Sequence, residues 1–210
     1  MSSEKFHLKF SEIVQGDYVL AKLNLMLVFQ VNCPGCFAYA FPVALRLHEA
    51  YKDRGLKILG LSTAFENFNL NTLGNTIRLI EKGEVVGETQ TMLERAGYPK
   101  FPLKIPFDIA YDEMSPNDLT HLDEDIERFC RHHPEFETHN ADVKRTIKDQ
   151  LKEYFSKKTM RAYTFDANHL NGTPSWILFD DQRNLLYESF GHKEYERVVH
   201  IIEKFLESAS

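Results

Sequence analysis

The apolar positions along this chain fall into short blocks, each with its own period. Leu25-Met26-Leu27-Val28-Phe29-Gln30-Val31 is a brief, nearly unbroken apolar run ending at a proline–glycine turn signal, which predicts a buried strand. Beyond Asn32-Cys33-Pro34-Gly35-Cys36, the residues Phe37, Ala38, Tyr39, Ala40, Phe41, Val43, Ala44, Leu45 and Leu47 are apolar on almost every side of a helix. A helix with no polar face must be covered by other elements. Lys52-Asp53-Arg54-Gly55 supplies a helix stop, and Leu56 to Ser62 reads as a second buried strand. Strand, helix and strand make a βαβ unit, which implies a parallel pair and a right-handed crossover.

The flanking segments are more polar. Phe6, Leu8 and Phe10 alternate on one face of a predicted edge strand within residues 4–14. From Asn69 to Gly97 the spacing is helical, through Leu70, Leu73, Ile77, Ile80, Met92, Leu93 and Ala96, with Lys82-Gly83 dividing two helices. Pro99, Pro102 and Pro106 then precede a short strand at Phe107-Asp108-Ile109-Ala110. Two amphipathic helices follow: residues 117–133 carry Leu119, Leu122, Ile126, Phe129 and Cys130 on one face, and residues 141–156 carry Val143, Ile147, Leu151, Tyr154 and Phe155. Thr173 to Phe179 returns to strand, Asp180 to Asn184 is a turn, and Leu185 to Phe190 is the antiparallel partner. A final helix buries Tyr195, Val198, Val199, Ile202, Phe205 and Leu206.

Charge sharpens the reading of the amphipathic pair. Between Asp112 and Glu127 there are seven acids and no Lys or Arg, whereas between Lys144 and Arg161 seven bases face only Asp149 and Glu153. An acidic helix followed by a basic one predicts an antiparallel hairpin whose flanks attract. Each exposed pair adds only about 0.2–1 kcal/mol, so charge orients the hairpin more than it stabilises it. Residues 112–161 are read as a helical insert within a single domain spanning 1–210. With 43% apolar and 12% aromatic residues, that domain can bury a full core. A net charge of −6 argues against nucleic acid or an anionic membrane as the main partner. Three cysteines are too few for a disulfide-stapled scaffold, and no apolar run reaches membrane-spanning length. Met1 to His7 has no apolar leader core, so the chain as it stands is expected to be cytoplasmic.

The candidate chemistry lies where the first buried strand meets the apolar helix. A helix start offers unpaired N–H groups and part of a positive charge, and cysteines so placed have pKa values of about 3.5 to 7.5 against about 8.5 for a free thiol. Two intervening residues let both sulfurs meet there. Cys33, the outer one, is expected to be the nucleophile, and Cys36, one turn inward, the thiol that resolves a mixed disulfide. The competing reading is half of a zinc site, which needs a second Cys/His pair at metal spacing.

The order of strand, Cys33-Pro34-Gly35-Cys36, helix, strand, then Gly172-Thr173-Pro174 heading a hairpin and a last helix, resembles the thioredoxin superfamily. Within it, the chain looks like the redoxin branch of TlpA- and ResA-type thiol reductases. Ile105-Pro106-Phe107-Asp108 and Ile177-Leu178-Phe179-Asp180 are similar to that branch's proline-led strand and its strand ending in an acid. The resemblance covers roughly residues 20–65, 100–112 and 163–208. It implies an α/β, three-layer thioredoxin-like fold: a central mixed sheet flanked by helices, with an inserted helical hairpin. It also implies a thiol-disulfide oxidoreductase needing no bound cofactor or metal, with Cys33 and Cys36 catalytic. Pro174 would be a cis-proline facing them, and Thr173 would pair with an extended substrate by β-addition. The implied partners are a thiol- or disulfide-containing protein substrate and a reductase or glutathione system.

The sequence departs from the pattern in four places. Asn32 stands where many relatives have Trp, and Leu27 where many bury an acid or Asn, which leaves Glu66 either as a substitute proton acceptor for Cys36 or, the favoured reading, as a solvated surface carboxylate. Pro42 follows Cys36 by six residues instead of five. Gln30 replaces the Thr that the peroxidase branch needs, so peroxidase activity is not implied. Pro directly after the nucleophile is shared with glutaredoxin- and DsbA-like motifs, which favours a potential less reducing than thioredoxin's. A DsbA-like oxidase, a glutathione-linked enzyme and a non-catalytic binding adaptor are the alternatives. Cys130 reads as a buried inert thiol, and the spacing of His121, Asp125, Cys130, His132, His133 and His139 fits no tetrahedral metal signature. Trp176 is a core residue near enough to Pro174 to report on the cysteines by fluorescence.

Overall fold

A computed structural model describes residues 4–117, 119–120, 122–131 and 134–208. The predicted buried strand forms as β2 (Leu23–Phe29) and the second as β3 (Leu56–Ser62), paired in parallel with Leu27 opposite Gly60. Around them lies a six-stranded mixed sheet in the order β1-β4-β3-β2-β7-β8. Its other strands are β1 (Phe10–Gln15), β4 (Asp108–Asp112), β7 (Ser175–Asp180) and β8 (Leu185–Phe190). β4 runs parallel to β3, and β1, β7 and β8 are antiparallel to their neighbours. β2 is central and buried on both faces, which is why its sequence reads as continuous rather than alternating.

The two faces carry separate apolar layers, sorted by the period of two along a strand. Leu23, Leu25, Leu27 and Phe29 point to the face covered by helix α1 (Phe41–Tyr51), by Leu79 of α2 (Leu73–Lys82), by Leu93 of α3 (Gly87–Arg95), and by Val198 and Ile202 of α8 (Tyr195–Ser208). Met26 and Val28 point to the other, where Phe6, Phe165 and Leu170 close the layer. The N-terminal segment differs from its predicted pattern. Phe6 is buried as a plug against Phe179, and the strand forms later, at Phe10–Gln15.

Residues 112–161 emerge through a short two-stranded ladder, β5 (Met114–Pro116) with β6 (Met160–Ala162), which the sequence pattern did not show. Beyond it stand α4 (Leu122–Arg131), α5 (Pro134–Thr138) and α6 (Ala141–Lys157). Ile126, Cys130 and Phe136 are buried against Leu122, Ile147, Leu151 and Phe155 in a third, small apolar cluster. The two predicted apolar stripes thus meet each other. Leu119 precedes the helix and is exposed, as are Val143 and Tyr154. Lys148 pairs with Glu127 across the hairpin, so the opposed charges meet as expected. After β6, α7 (Tyr163–Ala167) leads towards the 169–174 loop. Among the described residues, no helix is long and apolar enough to cross a membrane.

Candidate active site

Helical backbone begins at Pro34, directly after Cys33. Proline suits a first helical position, where its missing N–H would have had no partner. The Cys36 N–H closes the turn on the Cys33 carbonyl at 3.0 Å. From Cys36 to Ala40 the helix is a π-turn, in which the Phe41 N–H bonds back to the Cys36 carbonyl, and α1 follows. Such a turn accommodates one residue more than an α-turn. Pro42 follows it in the first turn of α1.

The two sulfurs lie 2.7 Å apart, hydrogen-bonded as free thiols rather than joined. Cys33 is partly exposed and Cys36 fully buried. The Cys36 thiol donates towards Cys33, which lowers the Cys33 pKa to about 6; burial opposes this, and the Thr173 side chain and the backbone N–H groups of Cys36, at 3.4 Å, and Gly35 reinforce it. The Cys36 thiol is held well above its usual pKa, first by burial and then by its charged neighbour. One sulfur is a thiolate at neutral pH and the other keeps its proton.

The loop that faces them starts at Gly172. The Thr173–Pro174 peptide bond is cis, and the Thr173 carbonyl oxygen stands 3.4 Å from the Cys33 sulfur. All four residues singled out in the sequence, Cys33, Cys36, Thr173 and Pro174, are thus brought to one place. Leu27, at the position of the missing acid, lies opposite Trp176, and both are buried. Glu66 contributes only its backbone carbonyl here, because its side chain is exposed. Among the described residues that act most strongly on Cys36, none is a carboxylate.

Comparison with solved structures decides the fold. Over 97% of this chain and 96% of the other, it superposes on a thiol-disulfide isomerase from Corynebacterium glutamicum with a TM-score of 0.57 at 18% identity. The chain has the thioredoxin fold. A thioredoxin-like superfamily protein matches similarly, with a TM-score of 0.55, 17% identity and 96% of each chain covered. No protein-family model matches the sequence, and no curated protein matches it. With the thioredoxin fold established, β2, the Cys33 turn and α1 occupy the strand–turn–helix position expected of them, and β7, β8 and α8 complete the hairpin and last helix.

Sequence reasoning missed the polar groups that support this turn. Gln30 and Asn71 are both buried. Asn71 Oδ1 accepts the Asn32 N–H at 2.9 Å, and Asn32 Oδ1 accepts the Glu88 N–H at 2.7 Å. Asn32, in the place of the usual Trp, thus ties the cysteine turn to the start of α3. Only its position beside Cys33 could have flagged it. On the insert side, a cavity of about 240 Å³ is lined by Phe65, Leu151, Tyr154, Phe155, Phe165 and Leu170, with Asn171, next in the chain to Gly172, at its wall. Cys130 is buried in the insert cluster, and burial pushes its thiol up. His121, His132 and His133 lie outside the described residues.

Proposed function

We propose that the protein is a thiol-disulfide oxidoreductase that exchanges disulfides with protein or small thiol substrates through Cys33 and Cys36. The observation that carries this reading is the pairing of an accessible sulfur with a pKa near 6 and a buried, protonated one 2.7 Å away. The Cys33 thiolate attacks one sulfur of a substrate disulfide. The substrate S–S bond breaks, a mixed disulfide forms, and the leaving thiolate takes a proton from solvent. Cys36 then gives up its proton and attacks the Cys33 sulfur, releasing the second substrate thiol. Two electrons pass to the substrate and the protein is left with a Cys33–Cys36 disulfide. A dithiol reductase or glutathione must reduce it again, and the same steps in reverse oxidise a dithiol substrate. Stabilising the thiolate stabilises the reduced protein, so the potential is placed above thioredoxin's value of about −270 mV.

Thr173 offers its backbone to an extended substrate, and Pro174 shapes that loop beside the sulfur. The insert at 112–161 and the cavity beneath it shape access. Insulin tests the reading: the wild type should reduce its disulfides, Cys33→Ser should abolish the activity, and Cys36→Ser should accumulate mixed disulfides. A wild type that leaves insulin intact while binding partners would favour the adaptor reading instead.

A further inference from the structure

Two loops must keep register for an attack on sulfur: the turn that carries Cys33 and the loop that carries Thr173. They come from segments about 140 residues apart in the chain, yet one run of side-chain amides links them. The Thr173 hydroxyl donates to Gln30 Oε1 at 3.3 Å, and Gln30 Nε2 donates to the Glu66 carbonyl at 3.3 Å. The same carbonyl accepts Asn71 Nδ2 at 3.0 Å, and Asn71 Oδ1 accepts the backbone N–H of Asn32, the neighbour of Cys33. The Tyr111 hydroxyl fixes the Asn71 carbonyl at 2.8 Å. Gln30 and Asn71 are 2% and 0% exposed.

Burying an amide is unfavourable unless both of its ends are bonded, and here both ends are. An apolar side chain at residue 30, just beyond β2, could fill the same space without that demand. What the amides add is direction, because a donor end and an acceptor end allow only one arrangement of the two loops. They are also neutral. A carboxylate in the place of Gln30 would repel the Cys33 thiolate and raise its pKa, whereas an amide orients without charge.

We infer that Gln30 and Asn71 are positioning residues for polypeptide substrates, holding the Thr173 backbone and the Asn32–Cys33 turn at one spacing so that a strand paired along Thr173 presents its sulfur to Cys33. This rests on the exchange reading above. Small disulfides, which need no strand pairing, depend on the relay less than peptides do, and reaction between held groups is sensitive to misplacement of about 1 Å.

The test compares wild type, Gln30→Met, Thr173→Val and the double variant. One substrate is a peptide with a single intramolecular disulfide; the other is 2-hydroxyethyl disulfide. In Gln30→Met the ratio of kcat/KM for the peptide to that for the small disulfide should fall about fivefold, mostly through KM, the factor an ordinary hydrogen bond confers. In this ratio the double variant should lose no more than the larger single loss, because both substitutions break the Thr173–Gln30 bond, whereas loss of the Thr173 side chain's contact with the sulfurs slows both substrates alike. Binding of the peptide with serine in place of cysteine, followed by NMR, should weaken by a similar factor. If Gln30→Met does not fold, Thr173→Val alone must show both effects. An unchanged ratio and affinity, additive losses, or no binding of the serine peptide by the wild type each overturn the inference. A wild type that binds the serine peptide, with weakening in the variants, but reduces neither disulfide overturns the exchange reading and leaves the positioning role standing.

Discussion

At the level of single side chains, burial divides the labour between two chemically identical groups. Cys33 is reachable and gathers donors, while Cys36 is enclosed and has no partner that favours its charge more than burial opposes it. The Cys33 pKa of about 6 is depressed, so its thiolate fraction rises as pH climbs through that value and is nearly complete at neutrality. Iodoacetamide should therefore modify one cysteine with a half-maximal rate near pH 6, and peptide mapping should find Cys33 modified while Cys36 and Cys130 are spared. Modification of Cys36 at a comparable rate would contradict the assignment. Asp112 shows the opposite shift. It accepts hydrogen bonds from the N–H groups of Thr164 and Phe165 and from the Thr63 hydroxyl, yet complete burial dominates and raises its pKa to about 6. Between its ordinary value near 4 and about 6, the folded state keeps a proton that the unfolded state has lost, so this group's contribution to stability declines as pH rises through that window. Urea unfolding on either side of the window should show a slope that disappears in Asp112→Asn. The cysteines were legible because their spacing is local. Asp112 was not, because its surroundings are assembled from β3, β4 and α7.

Among the elements, the segment after Cys36 shows how a local rule and a tertiary demand are reconciled. Its sequence reads as a plain apolar helix, and most of it is one, but Pro42 stands one residue too far from Cys36 for the usual arrangement. The π-turn at Cys36–Ala40 holds one residue more than an α-turn, and Pro42 follows it in the first turn of α1. A second junction joins the cysteine turn to α3. Gly87 opens that helix with a φ of +57°, and a β-carbon there would lie 2.3 Å from Asn32 Oδ1. Gly87→Ala should lose about 1–2 kcal/mol from the left-handed backbone alone. It should also push α3 off Asn32, so chemical-shift changes at Asn32 and Cys33 should accompany the lower melting temperature. A stability loss with no shift change near Cys33 would show that this docking is independent of the site. Long periodic elements were legible in advance: β2, β3, α8 and the facing stripes of α4 and α6. The β5–β6 ladder was not, since three residues a side carry no period, and neither was the plug made by Phe6, whose alternation with Leu8 and Phe10 imitates a strand. The amides Gln30 and Asn71 were equally hidden, because their roles depend on which loops the fold brings within 3.3 Å of them.

For the molecule as a whole, the decisive question is whether the insert is a graft on the sheet or a part of it. Its own cluster is small, and α6 buries no residue completely. Its neck is an antiparallel ladder in which Pro116 stands opposite Met160, with the Asn117 N–H bonded to the Thr159 carbonyl beyond it. Partners in such a ladder have their Cα atoms only about 4.5–5.5 Å apart, a gap that a two-residue turn closes. Replacing residues 118–158 by Asn-Gly should therefore give a chain that still folds, with the six-stranded sheet and the Cys33–Cys36 pair in place. The cut would remove Leu151, Tyr154 and Phe155 from the wall of the cavity and open its other side, Phe65, Phe165 and Leu170, further to solvent. At about 25 cal/mol per Å² of newly exposed apolar surface, a cost of a few kcal/mol and a lower melting temperature are expected. If the insert governs access, the shortened protein should reduce 2-hydroxyethyl disulfide at close to the full-length rate while its preferences among protein disulfides change. Loss of both activities in a chain whose amide spectrum shows an intact sheet would mean that the insert contributes to the exchange itself. In native-state hydrogen exchange of the full-length protein, the amides of α4 and α6 should open well before those of β2 and β3, because local opening follows the apolar surface that holds each unit down. Equal protection of insert and sheet would make them one cooperative body, and the graft description would fail.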